Sequence, residues 1–171
     1  MKIYAGIGSR ETPPDVCQAM CNIAMFLSVR GWTLRSGHAD GADKAFELGA
    51  THRQIFLPWA GFNGRQPDGV RYIVPEVTPT MIDIAARHHP AWHRCSGPAK
   101  KLHIRNVCQV LGLDCNTPAD MVICWTRDGK GGGGTGQAIR IAKSYNIPIF
   151  DIALEQGQNA LCAFLDQREA A

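Results

Sequence analysis

The chain has 171 residues and a net charge of +3, and this length suits one α/β domain with a proper hydrophobic core. So small a positive charge does not indicate a polybasic nucleic-acid binder, although it is compatible with a local basic groove. No apolar run approaches the roughly 20 residues of a membrane helix, and the N-terminus leads directly into a strand-like run. We therefore expect a cytoplasmic protein with no signal peptide and no membrane partner.

Apolar spacing predicts an alternation of strands and helices along the chain. Strands are predicted at 2–7, 32–35, 54–58, 71–74, 121–126 and 147–152. Helices are predicted between Pro13 and Gly31 and at 42–48, 80–88, 98–112, 136–145 and 156–168. Such alternation implies parallel strands with right-handed crossovers. We expect residues 1–171 to form a single α/β domain, a Rossmann-like three-layer α/β/α sandwich with a mainly parallel sheet, in which segment 60–79 is the one plausible insertion.

Residues 131–136 read Gly-Gly-Gly-Gly-Thr-Gly, between the strand predicted at 121–126 and a helical pattern that starts near Gln137. Four consecutive glycines are costly to order, so a chain retains them where the backbone approaches something closely or adopts positive φ. At a turn from strand to helix, that something is most often an anion, because the first N–H groups of the helix point outward. A flexible loop is the alternative.

The phosphate-binding interpretation assigns this turn a set of candidate ligand residues. They are Gly132, Gly133, Gly134 and Thr135. Thr135 would also suit a helix cap, and the two roles are compatible. Lys130, next to the glycines, is a further candidate for contact with an anion, with an ordinary loop lysine as the alternative.

Two further predicted strands also end in glycines and polar residues. The first ends in the string GIGSR at 6–10, and the second ends in SGHADGAD at 36–43. Because ligands bind beyond the carboxyl ends of parallel strands, the three loops are expected to meet at one crevice. The candidate ligand-binding residues in these two loops are Gly8, Ser9, Arg10, Ser36, Gly37 and Asp43. No GxGxxG dinucleotide fingerprint follows the first predicted strand, and no Walker A lysine follows Gly134.

The order of these motifs resembles the DprA/Smf proteins of the SLOG superfamily. The matching strings are GIGSR, SGHADGADKAFELGA, RN at 105–106 and GGGGTGQAIRIA, and the resemblance runs from about residue 3 to 152. DprA proteins bind single-stranded DNA and load the RecA recombinase, whereas the related LOG enzymes cleave the N-glycosidic bond of nucleoside monophosphates. The resemblance implies a nucleotide- or phosphate-binding crevice, site roles for Arg105 and Asn106, and a homodimer.

Two positions depart from the motifs of these relatives. Asp40 stands where the DprA-like motif SGxARGxD usually has an arginine, and Ala138 stands where the LOG motif PGGxGTxxE has its catalytic glutamate. A hydrolase built on this chain would therefore need another carboxylate, for which Asp40, Asp43 and Glu11 are the candidates. The alternatives are that Asp43 caps a short helix and that Asp40 forms an Asx-turn.

Three functional hypotheses follow from these residues. The main one is a protein without a cofactor that binds a nucleotide, a nucleotide-derived ligand or a nucleic-acid phosphate, with Asp43 on a ribose hydroxyl. The first alternative is a nucleotide N-glycosidase in which Asp40 or Asp43 stabilises charge on the sugar or activates water. The second alternative is a single-stranded DNA-binding recombination mediator, whose affinity would fall steeply with salt.

The string HHPAWHRC at 88–95 suggests a metal site, but Pro90 breaks the helix that would align His89 with His93, and Cys95 lacks a matching partner. We expect no metal there. The seven cysteines are scattered without a CxxC pair and indicate reduced thiols.

The same segment is interpreted as a loop over the crevice, with Trp92 on a base and Arg94 on a phosphate, or else as a packed aromatic at a helix end. Trp59 and Phe62 have the same two interpretations, contact with a base or packing in the protein. Cys17 and Cys21 lie on one helix face and are expected in the core.

Overall fold

The computed structural model describes residues 1–169, in which six strands and six helices alternate except where the third strand leads to the fourth and the third helix leads to the fourth. The strands are β1 (Lys2–Gly8), β2 (Trp32–Ser36), β3 (Arg53–Phe56), β4 (Tyr72–Ile73), β5 (Met121–Trp125) and β6 (Ile149–Asp151). The helices are α1 (Pro14–Ser28), α2 (Ala42–Gly49), α3 (Pro79–Arg87), α4 (Gly97–Leu111), α5 (Gly133–Ser144) and α6 (Glu155–Glu169). Short 3-10 turns cover Trp92–Arg94 and Arg127–Gly129.

The six strands form one sheet in the order β4-β3-β2-β1-β5-β6, and every neighbouring pair is parallel. In the middle of the sheet, Tyr4 of β1 lies between Leu34 of β2 and Met121 of β5. This arrangement confirms the predicted Rossmann-like α/β fold. The strand order reverses between β1 and β5, and the carboxyl ends of strands at such a switch point are where ligands bind in open parallel sheets.

Alternate residues of β1 face two separate hydrophobic layers. Ile3, Ala5 and Ile7 pack in the cluster that α3, α4 and α5 form on one face of the sheet. Tyr4 packs in the cluster that includes α1, α2 and α6 on the other face. The period of two along a strand therefore assigns each side chain to one layer, as a three-layer sandwich requires.

Helix α5 differs from the expectation in its starting residue, whereas the edge strand β4 lies within the strand predicted at 71–74. Helix α5 begins at Gly133 rather than near Gln137, so part of the glycine run forms the first turn of the helix. Segment 60–79 supplies the edge strand β4. The turn before this strand is held by Asp68, whose carboxylate accepts hydrogen bonds from three successive backbone N–H groups at 2.8–2.9 Å. These bonds lower the pKa of Asp68.

No helix within residues 1–169 has the length and apolar composition needed to cross a membrane. The end of α1 exposes three apolar side chains, Met25, Phe26 and Val29. They offer surface for the expected homodimer, which stays a prediction.

We predict that Gly49→Ala destabilises the fold. A Cβ at Gly49, the last residue of α2, would lie 2.1 Å from the carbonyl oxygen of Cys21 on α1, so the two helices would have to separate. Overpacking of this kind costs about 1–3 kcal/mol in the free energy of unfolding, which urea denaturation measures. The control is Gly97→Ala, where a Cβ meets nothing within 4 Å. Equal stability of the two variants would contradict this packing.

Candidate functional site

A crevice of about 690 Å3 opens at the carboxyl ends of β1 and β5, at the switch point of the sheet. Its lining comes from the loop after β1, the start of α2, one face of α4 and the segment from Thr126 to Ala138. Most of the predicted ligand residues are among the lining: Gly8, Ser9, Arg10, Asp43, Arg105, Asn106, Gly132, Gly133, Gly134 and Thr135. The structure thus brings together residues that are more than 100 positions apart.

The glycine turn is anchored by a buried threonine. Thr126 Oγ1 donates a hydrogen bond to the Asp151 carboxylate at the end of β6 and accepts one from the Gly131 N–H at 2.9 Å. On the other side, Gly136 is in tight contact with the turn, since a Cβ there would lie 2.1 Å from the Gly131 carbonyl oxygen. The turn is therefore held at both of its ends.

The middle of the turn faces open space. A Cβ at Gly132, Gly133 or Gly134 would meet no protein atom within 4 Å, and Gly133 has a φ of +65°. The N-cap residue Gly132, which precedes α5, gives the helix no side-chain cap. Because the first N–H groups of a helix have no partner inside the helix, this turn is suited to an anion.

A buried ion pair forms the floor of the crevice. Arg105 Nη1 of α4 lies 3.2 Å from Asp43 Oδ2 of α2, and both side chains are less than 10% exposed. The Ala39 N–H also donates to Asp43 Oδ2, at 3.4 Å. Burial raises the pKa of Asp43 and lowers the pKa of Arg105, while their mutual attraction opposes both shifts.

Two side-chain nitrogens at this floor lack a partner within the described part of the protein. Arg105 Nε and Gln109 Nε2 are buried and have no hydrogen-bond partner among residues 1–169. Both side chains line the crevice. Since buried donors are rarely left unpaired, a water molecule or a ligand atom is expected to accept from them.

Asn106 is linked to the glycine turn through a buried polar network. Its Nδ2 donates to the Gly134 carbonyl at 3.3 Å and to Gln137 Oε1 at 3.0 Å. Gln137 Nε2 in turn donates to the Ala85 carbonyl at 3.0 Å, and His103 Nδ1 lies 3.1 Å from Gln137 Oε1. Burial lowers the pKa of His103. Asn106 therefore holds the glycine turn in position through its side-chain amide.

Three further residues at the site, Gln137, His103 and Gln109, were not predicted from the sequence. Gln137 lies in the apolar pattern Ala138, Ile139, Ile141 and is fully buried. A polar residue on the apolar face of a predicted helix is a usable signal, because buried polar groups need partners. His103 and Gln109 carry no local signal of this kind.

The rim of the crevice carries both acidic and basic side chains. Arg127 forms an exposed ion pair with Glu11, and Asp128 also lines the rim. Arg10 and Lys130 line the crevice as well, and in the described part of the chain neither takes part in an ion pair. These two cations remain available for a phosphate. Ser9 Oγ accepts a hydrogen bond from the Glu11 N–H at 3.1 Å.

Ser36, Gly37 and Asp40 lie outside the lining of the crevice. Ser36 is buried, and its hydroxyl donates to the Gly6 carbonyl at 2.6 Å. Gly37 lies under Arg105, since a Cβ there would be 1.2 Å from Arg105 Nη1. The exposed Asp40 pairs with Lys44 at 2.7 Å, and that bond lowers the pKa of Asp40.

The aromatic residues named in the sequence analysis are also outside the lining. Trp92 packs against the core cluster of α3, α4 and α5, and Arg94 is exposed. Trp59 contacts the buried Phe62 edge to face, with ring centroids 5.3 Å apart.

His89 and Cys95 lie close to His103 of α4, and the ligand atoms of the three side chains are all within 4.8 Å of one another. Among residues 1–169 this is the one group with the composition and spacing of a metal site.

The two cysteines of α1 that were expected in the core differ in burial. Cys17 is half-buried, whereas Cys21 is buried, with 8% of its surface exposed.

Comparison with known proteins yields a structural match. No family model matches the chain, and no curated protein does either. The chain is similar to DNA processing protein A from Helicobacter pylori, a structure described for its unique single-stranded DNA binding mode. The TM-score is 0.55 at 19% sequence identity, over 95% of this chain and 72% of that chain. At this identity the similarity establishes the fold, which is DprA-like.

We predict that Asp43→Asn is strongly destabilising, because it leaves the charge of Arg105 buried without a counter-ion. Loss of one partner from a buried pair costs about 3–5 kcal/mol in the free energy of unfolding. Asp83→Asn is the matched control, because Asp83 pairs with Arg87 at 2.6 Å on the exposed surface of α3. That variant should change the free energy of unfolding by less than about 1 kcal/mol. Equal losses in urea denaturation would contradict the role of the Asp43–Arg105 pair.

Proposed function

We propose that the crevice binds a phosphate group of a single-stranded nucleic acid, with nucleotides or nucleotide-derived molecules as smaller ligands of the same chemistry. The observation that carries the proposal is the open glycine turn at the start of α5, where Gly132, Gly133 and Gly134 face empty space beside Arg10 and Lys130. DNA processing protein A, whose fold the chain shares, binds single-stranded DNA, and this similarity supports a single-stranded nucleic acid as the ligand.

The proposed contacts to a single phosphate group are few, so the crevice should bind one phosphate weakly. A helix N-terminus contributes about 0.3–1 kcal/mol to the binding of an exposed anion, and charge-assisted hydrogen bonds add about 1.5–3 kcal/mol each. A strand supplies several phosphates as well as bases. Arg105 Nε and Gln109 Nε2 at the floor would bind acceptor atoms of a base or sugar, while Asp43 positions Arg105.

We predict that Gly134→Ala weakens oligonucleotide binding while the fold becomes slightly more stable. Alanine is favoured over glycine within a helix by about 0.5–1 kcal/mol, and the Cβ would contact no protein atom, yet it would occupy the space over the turn. Fluorescence anisotropy with a labelled oligothymidylate should give an affinity loss of about tenfold, or about 1.4 kcal/mol.

Gly97→Ala is the control for that variant, because it also adds a Cβ to the first turn of a helix, α4, with nothing within 4 Å. Its affinity should equal that of the unmodified chain. Unchanged binding by Gly134→Ala would remove the glycine turn from the interface.

We also predict a modest dependence of affinity on salt. Two or three phosphates neutralised by the rim cations correspond to a slope of log K against log salt between about −1.4 and −2.1 for a single strand. Arg10→Gln should reduce the slope by about 0.7, since one contact is lost. Binding that is insensitive to salt would be inconsistent with phosphate recognition.

Hydrolysis of a nucleotide N-glycosidic bond is the second candidate, because the Asp43 carboxylate lies at the crevice floor. We expect nucleoside monophosphates to remain intact, since Asp43 is engaged by Arg105 and the buried Ala138 supplies no carboxylate. Chromatography of mixtures with the chain measures released base. Base release by the unmodified chain would make it a hydrolase, and release that Asp43→Asn retains would exclude Asp43 from the reaction.

A further inference from the structure

We propose that His89, Cys95 and His103 bind a zinc ion beside the crevice, a site that does not depend on the proposed function. The three residues come from the segment after α3 and from α4, and their ligand atoms all lie within 4.8 Å of one another. Cys95 Sγ is 3.7 Å from His89 Nδ1. Zn–S and Zn–N bonds of about 2.3 and 2.0–2.1 Å at a tetrahedral angle place S and N roughly 3.6 Å apart. These two ligands are therefore already spaced for one ion.

His103 is oriented for metal binding by the buried Gln137. Gln137 donates its Nε2 to the Ala85 carbonyl, and its Oε1 accepts from Asn106, so Oε1 faces His103 Nδ1 as an acceptor at 3.1 Å. The proton of a neutral His103 therefore resides on Nδ1, and Nε2 carries a free lone pair. A hydrogen bond to the second nitrogen is the usual means by which proteins fix the tautomer of a metal-binding histidine.

His89 can bind without a change of tautomer. Its Nδ1 accepts the Ala91 N–H at 3.2 Å, so this nitrogen already carries a lone pair. Zinc at Nδ1 would replace one long hydrogen bond. The Cys95 thiol donates to the Ala91 carbonyl at 3.6 Å, and it would lose that proton to solvent when the thiolate binds the ion.

The ligand types favour zinc over other common cations. Thiolate and imidazole are preferred by Zn²⁺, whereas Mg²⁺ and Ca²⁺ require oxygen ligands, which this group does not provide. Three protein ligands leave a fourth position for water or an anion, as in open zinc sites. Because His103 lines the crevice, an ion bound there would add a positive charge to its wall.

Local spacing in the sequence predicts no metal here. Pro90 separates His89 from His93, and His93 is exposed in the structure. The third member of the group, His103, lies on α4, and its approach depends on how α4 packs, which no local pattern reports.

Zinc binding is tested on the chelator-treated chain by isothermal titration with ZnCl2 and by direct metal analysis. We expect one Zn²⁺ per chain, with affinity at least tenfold weaker in Cys95→Ser and in His103→Asn. Cys162→Ser and His93→Asn are the controls, because both residues are exposed and outside the group, and their affinity should equal that of the unmodified chain. Absence of stoichiometric binding, or equal affinity of all four variants, would overturn the proposal.

Cobalt substitution gives a second measurement that needs no variant. Co²⁺ bound by Cys95 should show a thiolate-to-metal charge-transfer band in the near ultraviolet and tetrahedral d–d bands in the visible region. A Co²⁺ complex without the charge-transfer band would exclude Cys95 as a ligand and contradict the proposal, even if a variant fails to fold.

Discussion

The ion pair between Arg105 and Asp43 joins the two helical layers across the carboxyl edge of the sheet. Arg105 belongs to α4 on one face, and Asp43 belongs to α2 on the other, so their contact at 3.2 Å closes the crevice from below. The pair requires Gly37 beneath the guanidinium, because any side chain there would overlap Arg105. Buried pairs add little net stability but are costly to break, so this contact specifies how the loops meet.

Ion pairing of the carboxylates affects whether the crevice can bind a phosphate. Each carboxylate that the sequence offered for catalysis has a cationic partner: Glu11 pairs with Arg127, Asp40 with Lys44, and Asp43 with Arg105. Their charges therefore oppose a phosphate less than the sequence alone implies. Asp40, which stands where the DprA-like motif usually has an arginine, lies outside the crevice. Catalysis by any of the three would first require its separation from a cation.

The fold was predictable because its signals are local. Apolar periodicity and glycine positions indicated each strand and helix, and parallel alternation then determined where three loops would meet. The functions of single residues were less predictable. Ser36 and Gly37 belong to the motif, yet one bonds to the Gly6 carbonyl and the other makes room for Arg105. The network of Gln137, Asn106 and His103 depends on the packing of α4 against α5, which the sequence does not report.

Amide chemical shifts test most directly whether the glycine turn binds phosphate. In a ¹H–¹⁵N spectrum titrated with oligothymidylate, the N–H signals of Gly133, Gly134 and Thr135 should shift most, with the Arg105 Nε–H signal close behind. Shifts concentrated instead at the opposite edge of the sheet, around Lys2, Trp32 and Arg168, would contradict the account, because those residues line a separate cavity.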